Sequence, residues 1–224
     1  MGIFDFNFNF GSNKSHSIRE LSSEEINKAK FQARIAIVDD EEVPNMENLQ
    51  NDGYNIHKFS DIPKMGDFIA QKHHVVILDI QGVGKKISPE SEGWGILEYL
   101  KQEHPHIVVI VFTGADWSIT KFKDKADKAD FIIGKDSEYL SFKMKVDAAI
   151  KKAFSIDFHL EVLKKQIQNP NENKQKIEEI IKRYGKNEEK AKKKVKKLTS
   201  NEHTLQSVDS VLSIISSIYS FLPA

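Results

Sequence analysis

The stretch Val75-Val76-Ile77-Leu78-Asp79 decides how this chain is read. Its four consecutive apolar residues, mostly β-branched, are too few for a helix and follow the polar run from Gln71 to His74. Such a run is expected of a strand buried on both faces of a parallel sheet. It ends in a carboxylate. In an open α/β sheet the carboxyl end of a strand borders the crevice where ligands bind. An aspartate there can also simply open the next turn, so this strand alone does not settle the matter.

Three other stretches share the pattern. Arg34-Ile35-Ala36-Ile37-Val38 ends in Asp39-Asp40, His106 to Phe112 ends in Thr113-Gly114, and Ala129 to Gly134 ends in Lys135. Laid parallel, these strands collect three carboxylates, a hydroxyl and an ammonium at one edge. A further strand is expected over Asn55 to Phe59. Helices are expected at Glu42 to Asn51, Pro63 to Gln71, Gly95 to Gln102, Trp117 to Ala126 and Tyr139 to Phe154. Strands and helices that alternate through short links imply right-handed crossovers and a doubly wound sheet.

The order and spacing resemble the receiver domain of bacterial response regulators, over roughly Ala33 to Phe154. The resemblance implies a flavodoxin-like α/β fold whose five parallel strands run in the order 2-1-3-4-5. It also implies that Asp79 accepts a phosphoryl group from a histidine kinase or other phospho-donor, and that Thr113 and Lys135 engage that group. Mg²⁺ would be held by Asp40 and Asp79 directly, by the backbone carbonyl of Gln81, and by Asp39 through water. A cytoplasmic signalling protein that works as a homodimer is the implied whole.

The residue types suit that chemistry on their own terms. Three crowded carboxylates repel one another, and a hard divalent cation with oxygen ligands removes the conflict. Lys135 offers a compact ammonium to a phosphoryl oxygen. Thr113 offers a small rotatable hydroxyl, and Gly114 leaves room for a donor. The chain departs from the family's pattern in three places. Asp136 follows Lys135 where the family usually has Pro, and could compete for the ammonium. Ile132 stands at the family's aromatic switch position, with Phe131 beside it. The loop from Gln81 to Gly93 is also long.

Two other readings of these residues fail on chemistry. Gly82-Val83-Gly84-Lys85 suggests a nucleotide loop, but a P-loop needs a Gly five residues before its GK pair and a Ser or Thr after it, where this chain has Asp79 and Lys86. Haloacid-dehalogenase-type phosphatases use a second Asp two residues after the first as acid and base. Gln81 occupies that position, and an amide cannot shuttle protons. A long-lived phospho-aspartate is therefore expected rather than enzymatic turnover.

Composition narrows the rest. The 224 residues have zero formal net charge and no cysteine, which excludes disulfides, thiolate zinc sites and thiol catalysis. No stretch reaches a membrane span and no signal-peptide pattern opens the chain, so a soluble cytoplasmic protein is expected. The eight histidines lack metal-ligand spacing and are expected to be exposed or locally hydrogen-bonded.

Three regions follow: an N-terminal extension over 1–32, the receiver over 33–154 and a helical extension over 155–224. In the first, Phe4, Phe6, Phe8 and Phe10 alternate with polar residues, as in a sticky tail or an added strand. Ser22 and Glu25 form a capping box that starts a short helix. In the last region, stripes at Leu160, Leu163 and Ile167, at Ile177, Ile180, Ile181 and Tyr184, and at Val208, Leu212, Ile215 and Ile218 read as amphipathic helices. The Lys-rich segment Lys190 to Lys197 is either a solvated helix or a contact for nucleic acid or an anionic surface. A nucleic-acid-binding regulator, and a receiver-like module that no longer accepts phosphate, are the competing functional expectations. His159 is a remote candidate for phosphotransfer.

Overall fold

The computed structural model describes residues 22–114, 122–167 and 173–221. Five strands form one parallel sheet: β1 (Arg34–Val38), β2 (Asn55–Phe59), β3 (Val75–Asp79), β4 (Val108–Thr113) and β5 (Phe131–Gly134), in the order β2-β1-β3-β4-β5. This is the expected order. The register is continuous across the centre, with Val38 level with Leu78, Asp79 with Phe112, and Thr113 with Gly134.

Alternation along each strand sends side chains to opposite faces. Ile35, Ile37, Val75, Ile77, Val108, Ile110 and Phe112 point to one face. It is covered by α1 (Ser23–Gln32), α2 (Met46–Asn51) and α6 (Tyr139–Ala153). Ala36, Val38, Val76, Leu78, Val109 and Val111 point to the other, under α3 (Met65–Ala70), α4 (Gly93–Glu103) and the short α5 (Lys123–Ala126). Both faces are dry, which is why the central strands read as unbroken apolar runs. The expected Phe-rich segment and residues Trp117 to Lys121 lie outside the described residues.

Several helices are shorter than the sequence pattern suggests. Helix α2 begins at Met46 rather than near Glu42: the Glu41 amide donates to Asp39 Oδ1 at 2.8 Å instead of entering a helix, and residues 42–45 lie outside α2. Pro44 therefore precedes the helix. At the chain's start, α1 has the expected capping box: the Glu25 amide donates to Ser22 Oγ at 3.3 Å and the Ser22 amide to Glu25 Oε2 at 2.8 Å.

The tail folds into α7 (Ile156–Gln166), α8 (Lys174–Tyr184), α9 (Glu188–Val195) and α10 (Glu202–Phe221). The expected stripes are their buried faces, and one apolar cluster runs without a break from Ile35 and Ile77 through Phe142 and Ile150 to Leu160, Ile181, Val195 and Leu212. Only Leu198, which continues the α9 stripe, remains 37% exposed. No described helix is long and apolar enough to cross a membrane.

His73 departs from the sequence expectation: it is buried and neither of its ring nitrogens takes a hydrogen bond among the described residues. His73 and His159 are buried, and burial lowers the pKa of His73, His74, His106 and His159 to about 4. His159 does not present an imidazole to a donor: its Nε2 lies 2.7 Å from the Ala153 carbonyl oxygen, inside the seam between α6 and α7. Nearby, Asp130 accepts from the Val109 amide at 2.7 Å, pairs with Lys101, and lies 2.8 Å from Lys152 Nζ. It ties β4, α4 and α6 together.

Candidate functional site

The strand register explains why the predicted side chains converge. Asp39 is the first residue after β1, and Val38 is level with Leu78, so Asp39 emerges beside Asp79. Thr113 ends β4 one residue beyond the partner of Asp79, and Lys135 follows Gly134, the partner of Thr113. The Lys135 amide donates to the Thr113 carbonyl at 3.0 Å, extending the β4–β5 ladder to the sheet's edge.

The contacts that follow are specific. Lys135 Nζ donates to Asp79 Oδ2 at 2.8 Å, lies 3.1 Å from Asp39 Oδ2 and 3.7 Å from Glu41 Oε2. Asp136, expected as a competitor for this ammonium, is not among its ion-pair partners. Asp79 Oδ1 accepts from the amides of Ile80 at 2.7 Å and Gln81 at 3.2 Å. One carboxylate oxygen is thus fixed by backbone, and the other faces the cation.

Asp39, Asp79 and Thr113 are all buried, whereas Asp40 is exposed. Burial raises the Asp79 pKa and the negative Asp39 adds to this, although the Lys135 contact and the Gln81 amide oppose it. For Lys135, burial disfavours the ammonium, but the contacts with Asp79 and Asp39 outweigh it and hold the pKa above the ordinary lysine value. A buried acidic pair with one partly exposed cation remains short of positive charge.

Carboxylate oxygens of Asp39, Asp40 and Asp79 all lie within 4.8 Å of one another. Three observations fit a hard cation here. The donor set is entirely oxygen. Asp39 Oδ2 is buried and, despite the nearby ammonium, takes no hydrogen bond of good direction. A Cβ added at Gly82 would overlap both Asp40 carboxylate oxygens, so Asp40 rests against the Gln81–Gly82 segment.

The long loop is tightly held, and the residues that hold it were not apparent from the sequence. Gly82 and Gly84 adopt positive φ, the Gly82 amide donates to Glu92 Oε2 at 2.8 Å, and the Gly84 amide donates to Asp61 Oδ1 at 2.7 Å. Gly93 closes the loop: its amide donates to the Ile80 carbonyl at 3.2 Å, and a Cβ there would strike the carbonyl of Asp79.

At the position where the resemblance implied an aromatic switch, Ile132 packs with the α4 side of the sheet while Phe131 packs with the α6 side, under Lys152. The adjacent aromatic therefore does not take the place of the missing one.

No protein-family model matches the sequence, and no curated protein does. Solved structures do. The similar chains include receiver domains of response regulators. The NtrX receiver domain from Brucella abortus is 22% identical, with a TM-score of 0.44 over 52% of this chain and 98% of that one. A CheY-like receiver protein from Methanospirillum hungatei is 23% identical, with a TM-score of 0.43 over 54% and 95%. TrrA from Thermotoga maritima, in complex with Mg²⁺-BeF, is 24% identical, with a TM-score of 0.43 over 52% and 98%.

Proposed function

We propose that this chain is a response regulator of a two-component phosphorelay, with 33–154 as its phospho-accepting unit and 155–224 as the part that carries the response. The observation that supports this most is the shared ammonium: Lys135 Nζ spans Asp79 and Asp39 at the carboxyl edge of the sheet. In this reading the Asp79 oxygen facing Lys135 forms a bond to phosphorus. The donor's phosphorus–nitrogen bond breaks and its electron pair leaves with the imidazole. Lys135 then pairs with a phosphoryl oxygen, and the Thr113 hydroxyl, at the next strand end, donates to another.

Asp39, Asp40, Asp79 and the Gln81 carbonyl would hold Mg²⁺, which when bound offsets the negative charge that develops on the transferred group. Phospho-aspartate adds charge and strong acceptors to a tightly packed edge, which biases Thr113 between two arrangements. Leu140 and Met144 lie one turn apart on α6 and are 69% and 72% exposed, an apolar pair through which two copies would associate.

Incubation with acetyl phosphate and Mg²⁺, followed by phosphate-affinity electrophoresis, tests the reading. The parent chain should shift. Asp79→Asn should not, whereas Thr113→Ala should still be labelled but show a smaller change in oligomeric state. Equal labelling of the Asn variant would assign the acceptor elsewhere. No labelling of the parent would favour a module that has lost phosphate chemistry.

A further inference from the structure

The chain has no net charge, yet 183–197 holds eight cations and two carboxylates. Among the described residues, Lys192 is the only one of these cations paired: its ammonium lies 2.6 Å from Glu188 and 3.5 Å from Asp209 on α10. At 3.6 residues per turn, Lys190, Lys193, Lys194 and Lys197 fall on one arc of about 100° along α9 and the turn after it. Ala191 and Val195, both fully buried, occupy the opposite side. Lys190, Lys193 and Lys197 are exposed, and Lys194 partly so. None of the four forms an ion pair among the described residues.

We infer that this lysine arc is a docking surface for the phosphate backbone of double-stranded nucleic acid. The chemistry of the patch separates that partner from three others. A lipid surface is held most firmly by a helix that can also sink an apolar face, and Ala191 and Val195 of α9 are already buried inside the protein. A protein interface is built around aromatic or arginine anchors, with lysine depleted at its centre. Single strands are held by bases stacked on aromatic rings. The ring at hand, Tyr184, is already occupied by Lys190 at 5.0 Å, Lys194 at 4.7 Å and Arg183 at 5.6 Å. What remains is a convex row of point charges about one residue turn apart, suited to phosphates and lacking the forks that read bases.

The surface does not involve Asp79, so the inference stands or falls apart from phosphorylation. It is tested by fluorescence anisotropy of a labelled DNA duplex of about 20 base pairs, titrated with the full chain between about 50 and 200 mM salt. Four phosphate contacts predict a log–log salt slope of about −3.6, a loss of affinity of roughly a hundredfold across that range. Replacing Lys190, Lys193, Lys194 and Lys197 by Gln should abolish that slope, and replacing all four by Arg should restore it. Lys192→Gln, which removes a paired lysine, should leave the slope unchanged, whereas Gln at any one of the four arc positions should make it shallower by about 0.9.

Absence of duplex binding at the lowest salt would overturn the inference. So would equal weakening by Lys192→Gln, which would reduce the effect to general charge. Tighter binding of a single strand, or of phosphatidylserine vesicles with the same lysine dependence, would replace the duplex by that partner and equally overturn it. Thermal unfolding of each variant establishes that it is folded.

Discussion

Acid should loosen this protein at the seam between its sheet and its tail, and His159 allows the effect to be sized. Its side chain is 1% exposed, and burial depresses its pKa to about 4, more than the Ala153 carbonyl contact raises it; the neighbouring His74 adds to the depression. In the unfolded chain the ordinary value is 6.5. The unfolded state therefore takes up the proton first, so stability is full above 6.5 and falls as pH drops towards 4. At about pH 5, His159 alone accounts for a loss of about 2 kcal/mol relative to about pH 7.5. His74 and His106 are depressed to about 4 chiefly by burial, and shift stability in the same direction. Urea unfolding of the parent and of His159→Gln at both pH values measures the effect. The glutamine retains a donor for Ala153 but does not titrate, so its loss on acidification should be smaller by about 2 kcal/mol. Parallel losses in the two proteins would refute the reasoning.

Other perturbations give separate outcomes. Gly82→Ala should push Asp40 aside and weaken Mg²⁺ binding by tenfold or more, read by titration calorimetry, while far-ultraviolet circular dichroism stays unchanged. Lys135→Met leaves Asp39 and Asp79 facing each other without their ammonium. It should cost about 2 kcal/mol or more in metal-free buffer, with part of the loss recovered in Mg²⁺, measured by thermal unfolding. Leu160→Ala, a cavity in the shared apolar cluster, should cost about 2–5 kcal/mol. Its unfolding should remain a single transition by fluorescence and circular dichroism if tail and sheet melt together.

The central strands were legible because both faces of the sheet are dry, which makes β1, β3 and β4 continuous apolar runs with no competing period. The meeting of Asp39, Asp79, Thr113 and Lys135 was legible because each follows or ends a parallel strand, and parallel register brings such ends together. The loop from Gln81 to Gly93 was not. Its path depends on Asp61 and Glu92 taking the amides of Gly84 and Gly82, and no local propensity announces a carboxylate twenty-three positions away. The burial of His73 was missed for a related reason: an isolated imidazole carries no period, and only the packing of Phe59 and Phe68 around it decides whether it meets water. Likewise, a stripe such as Leu160, Leu163 and Ile167 shows that a helix face is covered, but not that the sheet's own core continues into it.

Between α6 and α7 lie only Phe154 and Ser155, the first buried and the second capping α7 through the Phe158 amide. A displacement of α6 is thereby handed on with little slack. The chain is closer to a lever cast in one piece than to a sensor with an effector on a string. Trimming it at that joint would leave the α6 side of the sheet with raw apolar flank, so the fragment should be sticky rather than a miniature of the whole.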